Sequence, residues 1–324
     1  MAPPPNLPPP PNLPRIASST ARTLRAFGQR IPGAGGILAR SLEDAVDGRI
    51  VMITGASSGI GQAAALKVGT AGGTVLLVAR TEGKLRETAS QIERRGGKAH
   101  VYPCDLSSPD DIERMAGEVL DRQGRVDILV NNAGKSIRRS ISRSYERFHD
   151  FQRTMALNYF GPVKLILTLL PVMRERGSGH IVNISTIGLQ TNTPRYSAYL
   201  GSKAALDAFS RSIAAEIIDD GVHVTTVYMP LVRTPMSAPT QVYDRFPMLS
   251  PEEAADLICE AIRKRPKRIA TTLGSLGQLS YAIVPGAQDL IVNRAYKLFP
   301  EGKPAGSETA EQRAFVRATR GVHW

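Results

Sequence analysis

Short apolar runs alternate with longer amphipathic stretches along the middle of the chain. The runs predict six strands, at Arg49–Thr54, Thr74–Ala79, Lys98–Tyr102, Asp127–Asn131, His180–Ile184 and His223–Tyr228. The amphipathic stretches predict helices at Glu82–Arg95, Asp110–Arg122, Tyr145–Arg176, Ala198–Asp219 and Pro251–Lys264. Short apolar strands joined by helices indicate a parallel sheet that is covered on both faces. The pattern therefore predicts an α/β fold with a doubly wound parallel sheet, that is, a Rossmann fold.

The two ends of the chain depart from this alternation. Residues 1–46 begin with a proline run, continue with arginines and contain no acidic residue before Glu43. Two interpretations of this tail remain open, a disordered segment and a basic segment on a membrane surface. Residues 47–272 carry the alternating pattern and predict one Rossmann domain. Residues 273–324 predict a helical extension over Leu273–Phe299 and then a loose C-terminal tail.

The composition narrows the class of protein. A chain of 324 residues that is 42% hydrophobic is long enough for one large domain with flanking segments. No stretch of ~18 apolar residues lacks a charge and no signal-peptide pattern is visible, so we expect no transmembrane span. With Cys104 and Cys259 alone, we expect a reduced cytoplasmic protein without disulfides, and Cys and His are too sparse for a metal site.

The net charge of +12 favours anionic partners in general. Nucleotide cofactors, coenzyme A and anionic membranes all qualify. No nucleic-acid-binding motif accompanies the charge, so we expect no nucleic-acid partner.

A glycine-rich turn follows the first predicted strand and opens a helix. Glycine is required where the backbone turns tightly and approaches a pyrophosphate, and the helix N-terminus supplies N–H donors. The turn therefore predicts a dinucleotide site. Its candidate contacts are Gly55, Ser57, Ser58, Gly59, Ile60 and Gly61.

The end of the second predicted strand distinguishes NADPH from NADH. An NAD site places a carboxylate there to bind the ribose 2′-hydroxyl, whereas this strand ends in Arg80. A guanidinium offers a planar set of donors that suits a 2′-phosphate. We therefore expect NADPH as the cofactor.

Tyr199 and Lys203 are the candidate catalytic pair. They are four residues apart on a predicted helix and so share one face. A tyrosine with a reference pKa of about 10 is a poor acid–base at neutral pH. A nearby ammonium favours the phenolate, so we expect Lys203 to lower the pKa of Tyr199.

These residues, taken together, resemble the short-chain dehydrogenase/reductase family from about Gly48 to Thr271. The resemblance implies that Asn158, Ser185 or Thr186, Tyr199 and Lys203 form the catalytic set. It implies further cofactor contacts from Asp105, Asn131, Ala133, Gly134, Pro230, Val232 and Thr234. In the family, Asp105 would meet the adenine, Asn158 would hold a water in a proton relay with Lys203, and Pro230, Val232 and Thr234 would line the nicotinamide.

Two positions depart from the family pattern. The family's catalytic serine, thirteen residues before the tyrosine, is replaced by Thr186, with Ser185 immediately before it. A threonine hydroxyl can also hydrogen-bond a carbonyl oxygen, so we favour Thr186 with Ser185 as the alternative. The family's Pro-Gly after the sixth strand is Pro230-Leu231, which alters the backbone of the nicotinamide loop.

A closer resemblance is carried by segments outside the catalytic set. They are Asn132–Arg139, Phe148–Phe151, Leu157–Gly161, Tyr228–Met236, Leu249–Leu257, Arg268–Thr271 and His323–Trp324. They are similar to the bacterial aldehyde-forming long-chain fatty acyl-CoA reductases of short-chain dehydrogenase type. The resemblance implies NADPH-dependent reduction of fatty acyl-CoA to fatty aldehyde and free coenzyme A.

The substrate contacts remain open at this stage. Leu276, Leu279, Tyr281, Ile283 and Val284 either line an acyl channel or complete the core. Arg138, Arg139, Arg143 and the Arg263–Arg268 cluster either bind coenzyme A or are ordinary solvated charge. Cys104 and Cys259 are not placed to attack a thioester, which favours direct hydride transfer.

Two other functions compete with this one. The first is reduction of a ketone, a steroid or a 3-oxoacyl group with the same catalytic residues, and the second is a non-catalytic scaffold. We expect a homo-oligomer in the cytoplasm, with peripheral contact at the inner face of the membrane.

Overall fold

Seven parallel strands form one sheet in the order β3-β2-β1-β4-β5-β6-β7. This is a computed structural model, and it describes residues 41–299, 311, 312 and 314. The strands are Ile50–Thr54 (β1), Thr74–Ala79 (β2), Lys98–Pro103 (β3), Ile128–Asn131 (β4), Gly179–Thr186 (β5), Val222–Met229 (β6) and Arg268–Ile269 (β7). The predicted doubly wound sheet is confirmed. Its order reverses between β1 and β4, and the carboxyl ends of those strands are where such sheets bind ligands.

Helices cover both faces of the sheet. They are Leu42–Val46 (α1), Gly59–Thr70 (α2), Glu82–Glu93 (α3), Pro109–Gln123 (α4), Phe148–Met155 (α5), Gly161–Glu175 (α6), Gly188–Thr191 (α7), Ser197–Glu216 (α8), Pro251–Lys264 (α9), Thr272–Ile283 (α10) and Pro285–Leu298 (α11). The core on one face is formed with α1, α2, α3 and α9, and the core on the other with α4, α6 and the end of α8. Burial of both faces explains why the inner strands are apolar throughout.

The helix predicted over Tyr145–Arg176 is interrupted. It begins at Phe148, and a π-helical turn over Ala156–Phe160 separates α5 from α6. A Cβ on Gly161 would overlap the carbonyl oxygen of Leu106, so the chain passes close to that loop at the start of α6. The π-turn carries the buried Asn158, a placement typical of π-turns at functional sites.

The continuous helical stretch Phe148–Glu175 is long and apolar enough to cross a membrane by length and composition, although we expected no such segment. Leu165, Ile166 and Leu169 of this stretch are buried in the core beside the sheet. One side of α6 therefore packs in the core of the domain, while a third of the apolar window is buried.

The folded chain begins before the boundary expected at residue 47. Ser41 and Asp44 form a reciprocal capping box at the start of α1, and Ala45 and Val46 are buried. Residues 42–46 thus belong to the domain and not to the tail. The prediction for residues 1–40 lies outside the described residues.

Helices α10 and α11 occupy the predicted C-terminal extension. A Cβ on Gly274 would overlap Gln190 of α7, so α10 packs closely on the segment that follows β5. The loose tail expected after Phe299 lies outside the described residues, apart from residues 311, 312 and 314.

Candidate active site

The glycine turn lies between β1 and α2, at the carboxyl edge of the sheet. Gly55 and Gly59 have left-handed backbone conformations, with φ of 68° and 57°. A Cβ on Gly61 would overlap the carbonyl oxygen of Gly55 and lie 2.5 Å from Nδ2 of Asn132. The first N–H groups of α2 have no carbonyl partner within the helix, and Ser58 at its N-cap makes no side-chain capping bond. These features fit the pyrophosphate of a dinucleotide.

Hydrogen bonds hold the ends of β1 and β4 together beneath this turn. The hydroxyl of Thr54 accepts from the backbone N–H groups of Asn132 (2.9 Å) and Ala133 (3.0 Å). The side-chain amide of Asn132 donates to the carbonyl of Thr54 at 2.9 Å. The resemblance implied that the motif from Asn131 to Gly134 braces the sheet, and these bonds of Asn132 and Ala133 fit that role.

Arg80 and Asp105 lie at the ends of β2 and β3, where an adenosine would bind. The side chain and backbone N–H of Ser107 donate to Asp105 at 2.7 and 3.0 Å. Those bonds, aided by the charge of Arg80, lower the pKa of Asp105. Arg80 is exposed, and the nearest carboxylate along the chain, Glu82, is paired with Arg86 at 2.9 Å. The guanidinium of Arg80 therefore faces the solvent, where it could meet a 2′-phosphate.

Tyr199 and Lys203 lie on successive turns of α8, where Lys203 is buried and Tyr199 is partly buried. Lys203 donates from Nζ to the carbonyl of Ile184 on β5 at 2.7 Å, and burial lowers its pKa to about 8. Burial raises the pKa of Tyr199 to about 12, although a hydrogen bond with Thr186 opposes the rise. The lowering of the tyrosine pKa that we expected from Lys203 was wrong for this arrangement, because the ammonium is directed at Ile184. The phenol is protonated at neutral pH and can donate.

The structure distinguishes the two candidate hydroxyls on β5. Thr186 hydrogen-bonds with the phenol of Tyr199 and accepts from the N–H of Gly188 at 3.1 Å. The Oγ of Ser185 is buried and has no hydrogen-bond partner among the described residues. The geometry therefore favours Thr186 as the group that meets a carbonyl oxygen beside Tyr199.

Asn158 connects the loop after β4 to α8. Its Oδ1 accepts from the N–H of Lys135 at 2.8 Å, and its Nδ2 donates to the carbonyl of Lys135 and to Oγ of Ser202, both at 2.9 Å. A Cβ on Gly134 would lie 3.3 Å from Oδ1 of Asn158 and 3.5 Å from Nζ of Lys203. The side chain of Asn158 thus holds the loop and the catalytic helix in register, and only a small residue fits between Asn158 and Lys203.

A second polar chain lies deeper in the sheet. The amide of Asn131 donates to Oδ1 of Asn183 at 2.8 Å, and the amide of Asn183 donates to Oγ of Ser210 on α8 at 2.8 Å. Sequence reasoning missed Asn183 and Ser210. A polar residue inside the apolar run of β5 was the available signal, since buried amides need partners.

The loop after β6 is held without the glycine that is usual in the family. Leu231 accepts from the N–H of Leu249 at 2.9 Å, and Val232 pairs with Leu249 in an isolated bridge. Leu231 does not have a positive φ, so its side chain causes no backbone strain. A Cβ on Gly59 would lie 3.3 Å from Cγ2 of Thr234, which places this loop against the glycine turn. Pro230 directly follows the end of β6 and is buried.

A tyrosine pair and a basic segment lie on the other side of Tyr199. The ring of Tyr196 is perpendicular to that of Tyr199 at 6.4 Å, and the hydroxyls of Tyr196 and Tyr243 are hydrogen-bonded. Burial raises the pKa of Tyr196, and the charge of nearby Arg138 opposes the rise. Arg138 therefore lies close to the candidate catalytic residues.

Asp150 organises the arginines that follow Arg138. Arg139 and Arg147 donate to its carboxylate at 3.0 and 3.1 Å, and Arg153 is also bonded to it. Burial opposes ionisation, but these guanidinium groups lower the pKa of Asp150 to about 2. One buried carboxylate therefore holds three partly exposed guanidiniums in place.

The Arg263–Arg268 group, the second set of basic residues proposed as coenzyme A contacts, does not lie at one place on the sheet. Burial and then the charge of Arg265 lower the pKa of His180 and of His223, which lie at the starts of β5 and β6. Arg265 is therefore near the amino edge, away from Tyr199. Arg268, at the other end of the same group, donates to Gln278 of α10 at 3.2 Å and so lies on the side of α7.

Neither cysteine is a candidate nucleophile. Burial raises the pKa of Cys104 to about 12 and that of Cys259 to about 11. Cys104 lies beside Asp105 at the adenosine end, and Cys259 is buried in α9. Both thiols are protonated at neutral pH, and a thiol is a weak nucleophile.

Comparison with known proteins agrees with this geometry. The family model for short chain dehydrogenase matches residues 49–243. A fatty acyl-CoA reductase of Acinetobacter baylyi is 51% identical over 283 residues, which cover 86% of this chain and 96% of that protein.

Solved structures show the same fold. A short-chain dehydrogenase from Streptomyces avermitilis matches with a TM-score of 0.64 and 31% identity, over 76% of this chain and 96% of that one. A metagenomic short-chain oxidoreductase in complex with NADP matches with a TM-score of 0.60 and 31% identity, over 69% and 97%. The chain therefore belongs to the short-chain dehydrogenase family and is an oxidoreductase.

Proposed function

We propose that this chain reduces long-chain fatty acyl-CoA to fatty aldehyde and free coenzyme A with NADPH. The similarity to the Acinetobacter fatty acyl-CoA reductase carries the substrate class, because it extends over 86% of this chain. It thus reaches well beyond the nucleotide-binding half, into the segments that distinguish substrates within a family.

The proposed cofactor preference rests on Arg80. The pyrophosphate would lie on the glycine turn and the N-terminus of α2, with the 2′-phosphate against Arg80. Asp105, Asn131, Ala133 and Gly134 would contact the adenosine and its ribose, and Lys203 the other ribose, with Pro230, Val232 and Thr234 along the nicotinamide.

The proposed chemistry begins at the thioester carbonyl. Bound NADPH supplies a hydride to the carbonyl carbon. Thr186 and Tyr199 hydrogen-bond the oxygen, and Tyr199 transfers its proton to that oxygen as negative charge develops there. The product is a hemithioacetal. Its hydroxyl returns the proton to Tyr199, the C–S bond breaks, and coenzyme A leaves as a thiolate that takes a proton from water.

Arg138 is the proposed contact for coenzyme A. It is partly buried beside the Tyr196–Tyr243 pair, and the arginines held by Asp150 follow it along the chain. A guanidinium at this position would attract the phosphates of coenzyme A toward the candidate site.

The test is a product analysis with purified full-length protein, NADPH and palmitoyl-CoA. Consumption of NADPH, free thiol and aldehyde should appear in a ratio of about 1:1:1, as the balanced reaction requires. NADPH consumption without free thiol, or activity only on ketones and 3-oxoacyl thioesters, would replace the proposal with the ketone-reductase alternative. Absence of any NADPH oxidation across these substrates would favour a non-catalytic role.

A thiol-free variant tests the direct mechanism. We expect Cys104→Ala/Cys259→Ala to keep most of its acyl-CoA reductase activity, because neither buried thiol reaches Tyr199. Circular dichroism shows whether the variant is folded. A folded but inactive variant, or an acyl group trapped on either cysteine in the wild type, contradicts direct hydride transfer.

A further inference from the structure

The hairpin formed by α10 and α11 has polar side chains on its inner face. Gly274 and Gly277 of α10 pack against Gln190, whose side chain bonds to that of Gln278 at 3.4 Å. Gln288 of α11 is buried and accepts from Oγ of Ser280 at 2.5 Å. Glycines and amides, rather than apolar side chains, therefore hold the hairpin together and fix it to α7.

The outer face of the hairpin is apolar. Leu276, Leu279 and Ile283 lie along one side of α10 and are 55%, 56% and 69% exposed. Val284 in the turn and Leu290 and Ile291 of α11 are exposed as well. No charged residue occurs between Arg268 and Asp289. These residues do not pack into a core, so the interpretation that they complete the core is wrong.

This distribution is the reverse of that in a water-exposed amphipathic helix. A helix on a soluble surface places its apolar stripe inward and its charges outward. Large contiguous apolar patches on a protein surface mark contact with a partner or a membrane. The medium that this face meets is therefore expected to be apolar.

The charged residues in and next to the hairpin are mostly basic. Arg268 precedes the hairpin, and Arg294 and Lys297 are exposed on its second helix, against the single acid Asp289. The net charge of the whole chain is +12. An apolar surface bordered by cations is complementary to a bilayer with anionic headgroups.

The hairpin lies next to the candidate site. Arg195, which directly precedes Tyr196, stacks on the ring of Tyr296 of α11 at 4.1 Å and donates to its carbonyl at 3.0 Å. The carbonyl of Arg195 accepts from the N–H of Arg139 at 2.7 Å. Through these contacts α11, the start of the catalytic helix and the arginines around Asp150 adjoin one another.

Exposed aromatic rings accompany the arginines around Asp150. Tyr145 precedes α5 and Phe148 begins it, both are exposed, and Arg147 and Arg153 bond to Asp150 in the same stretch. Aromatic and basic side chains together are typical of protein surfaces at the headgroup level of a bilayer.

We propose that the α10–α11 hairpin docks on anionic membranes, with the outer side chains of α10 inserted at the boundary between headgroups and acyl chains. Because the hairpin adjoins the catalytic helix, docking places the candidate site at the lipid surface. Docking would bring the candidate site to its substrate, because long acyl chains partition into bilayers. This reason for docking rests on the proposed function.

Vesicle co-sedimentation tests the docking without substrate or cofactor. Full-length protein is mixed with vesicles of phosphatidylcholine and phosphatidylglycerol. Leu276→Gln/Leu279→Gln/Ile283→Gln should bind about 10-fold more weakly or worse, since burial of apolar side chains drives interfacial binding. The matched control is Leu167→Gln/Ile218→Gln, whose side chains are equally exposed at 55% and 52% but lie outside the hairpin. Equal binding of the triple variant and the control overturns the proposal.

Fluorescence quenching separates insertion from electrostatic attachment. Tryptophan in Leu279→Trp should be quenched by vesicles containing brominated acyl chains, whereas tryptophan in Leu167→Trp should not. Both variants keep Trp324, which therefore contributes equally to the two signals. Equal quenching in the two variants would overturn insertion of α10.

A second copy of the chain is the competing occupant of this face. If sedimentation equilibrium shows that the triple variant loses self-association while vesicle binding is unchanged, the face is a protein interface and the proposal is wrong. The palmitoyl-CoA assay is read separately. Loss of docking with intact reductase activity contradicts only this inference, and docking without activity contradicts only the proposed function.

Discussion

The phenol of Tyr199 lies beside Thr186, and its environment suits a proton donor. Burial keeps it protonated at neutral pH, while Thr186 fixes its hydroxyl. The sequence spacing predicted that Tyr199 and Lys203 share one helix face, but it could not show which group the ammonium of Lys203 would bond. Its acceptor is the carbonyl of Ile184, which belongs to β5 and not to the helix.

Replacing the phenol hydroxyl tests the role of Tyr199. We expect Tyr199→Phe to lower kcat by ~10²–10⁴-fold, because a positioned proton donor is lost. NADPH binding, followed by fluorescence titration, should be retained. The control is Tyr196→Phe, which removes a neighbouring hydroxyl that bonds Tyr243. Normal turnover in Tyr199→Phe rules out the assigned role.

Reversing the charge at residue 80 tests cofactor choice. Arg80→Asp should reverse or abolish a preference for NADPH over NADH, because a carboxylate repels the 2′-phosphate and can accept from a ribose hydroxyl. The ratio of kcat/KM for the two cofactors measures the effect. Arg86→Asp, at an exposed position on α3 where Glu82 supplies the partner, is the control. A wild type that uses NADH as well as NADPH contradicts the argument.

The turn between β1 and α2 is the element most constrained by close packing. We expect Gly61→Ala to abolish NADPH binding and lower stability, because the added Cβ overlaps Gly55 and Asn132. Gly117→Ala is the control, since nothing lies within 4 Å of a Cβ there. In the middle of α4 that change should raise stability by about 0.5–1 kcal/mol. Urea unfolding and cofactor titration measure both, and a Gly61→Ala protein that binds NADPH normally contradicts the assigned turn.

Helices and strands with a clear apolar pattern could be predicted from the sequence. Elements that form only because of neighbouring parts of the fold could not. The six longer strands follow apolar runs, whereas β7 has two residues, Arg268 and Ile269, and forms because β6 offers an edge. The π-turn at Ala156–Phe160 was missed, since the apolar periodicity continues through it. The outward apolar face of α10 was also unpredictable, because periodicity shows that a stripe exists but not which way it faces.

At the scale of the whole molecule, stability depends on pH because a histidine is buried at the amino edge of the sheet. His180 is fully buried with Nε2 2.9 Å from Oγ1 of Thr225, and burial lowers its pKa to about 3. Above about pH 6.5 the residue is neutral in both the folded and the unfolded chain. As the pH falls from 6.5 toward 3, the unfolded chain takes up a proton that the folded chain does not, so stability is lost.

This gives a measurable difference between two variants. The free energy of unfolding of the wild type should fall more steeply between pH 6.5 and 4 than that of His180→Asn, by up to about 1.4 kcal/mol per pH unit. His100→Asn, at an exposed position on β3, is the control and should follow the wild type. Parallel curves for the wild type and His180→Asn would show that the buried imidazole does not titrate as proposed.

The positions of the arginines in the fold were only partly predictable from the sequence. The net charge of +12 can be counted from the sequence. Two buried carboxylates, however, determine where several of the arginines lie. Asp127 bonds Arg125 and Arg176 at the amino edge, while Asp150 holds its arginines near Tyr199. Most of these arginines are close to their carboxylate along the chain, and only Arg176 is 49 residues away from Asp127. The sequence could show neither that the two carboxylates are buried nor that Asp150 and its arginines adjoin Tyr199.

The strand order also affects how the chain behaves while it is being synthesised. β1 has β2 on one side and β4 on the other, and β4 is reached only at Ile128. At about 5–20 residues per second, translation from Gly55 to Asn131 takes about 4–15 s. Throughout that interval one edge of an apolar strand lacks its neighbour, and unpaired edges recruit other chains. A ribosome that stalls between these residues therefore displays the nascent species most prone to pair with a second copy.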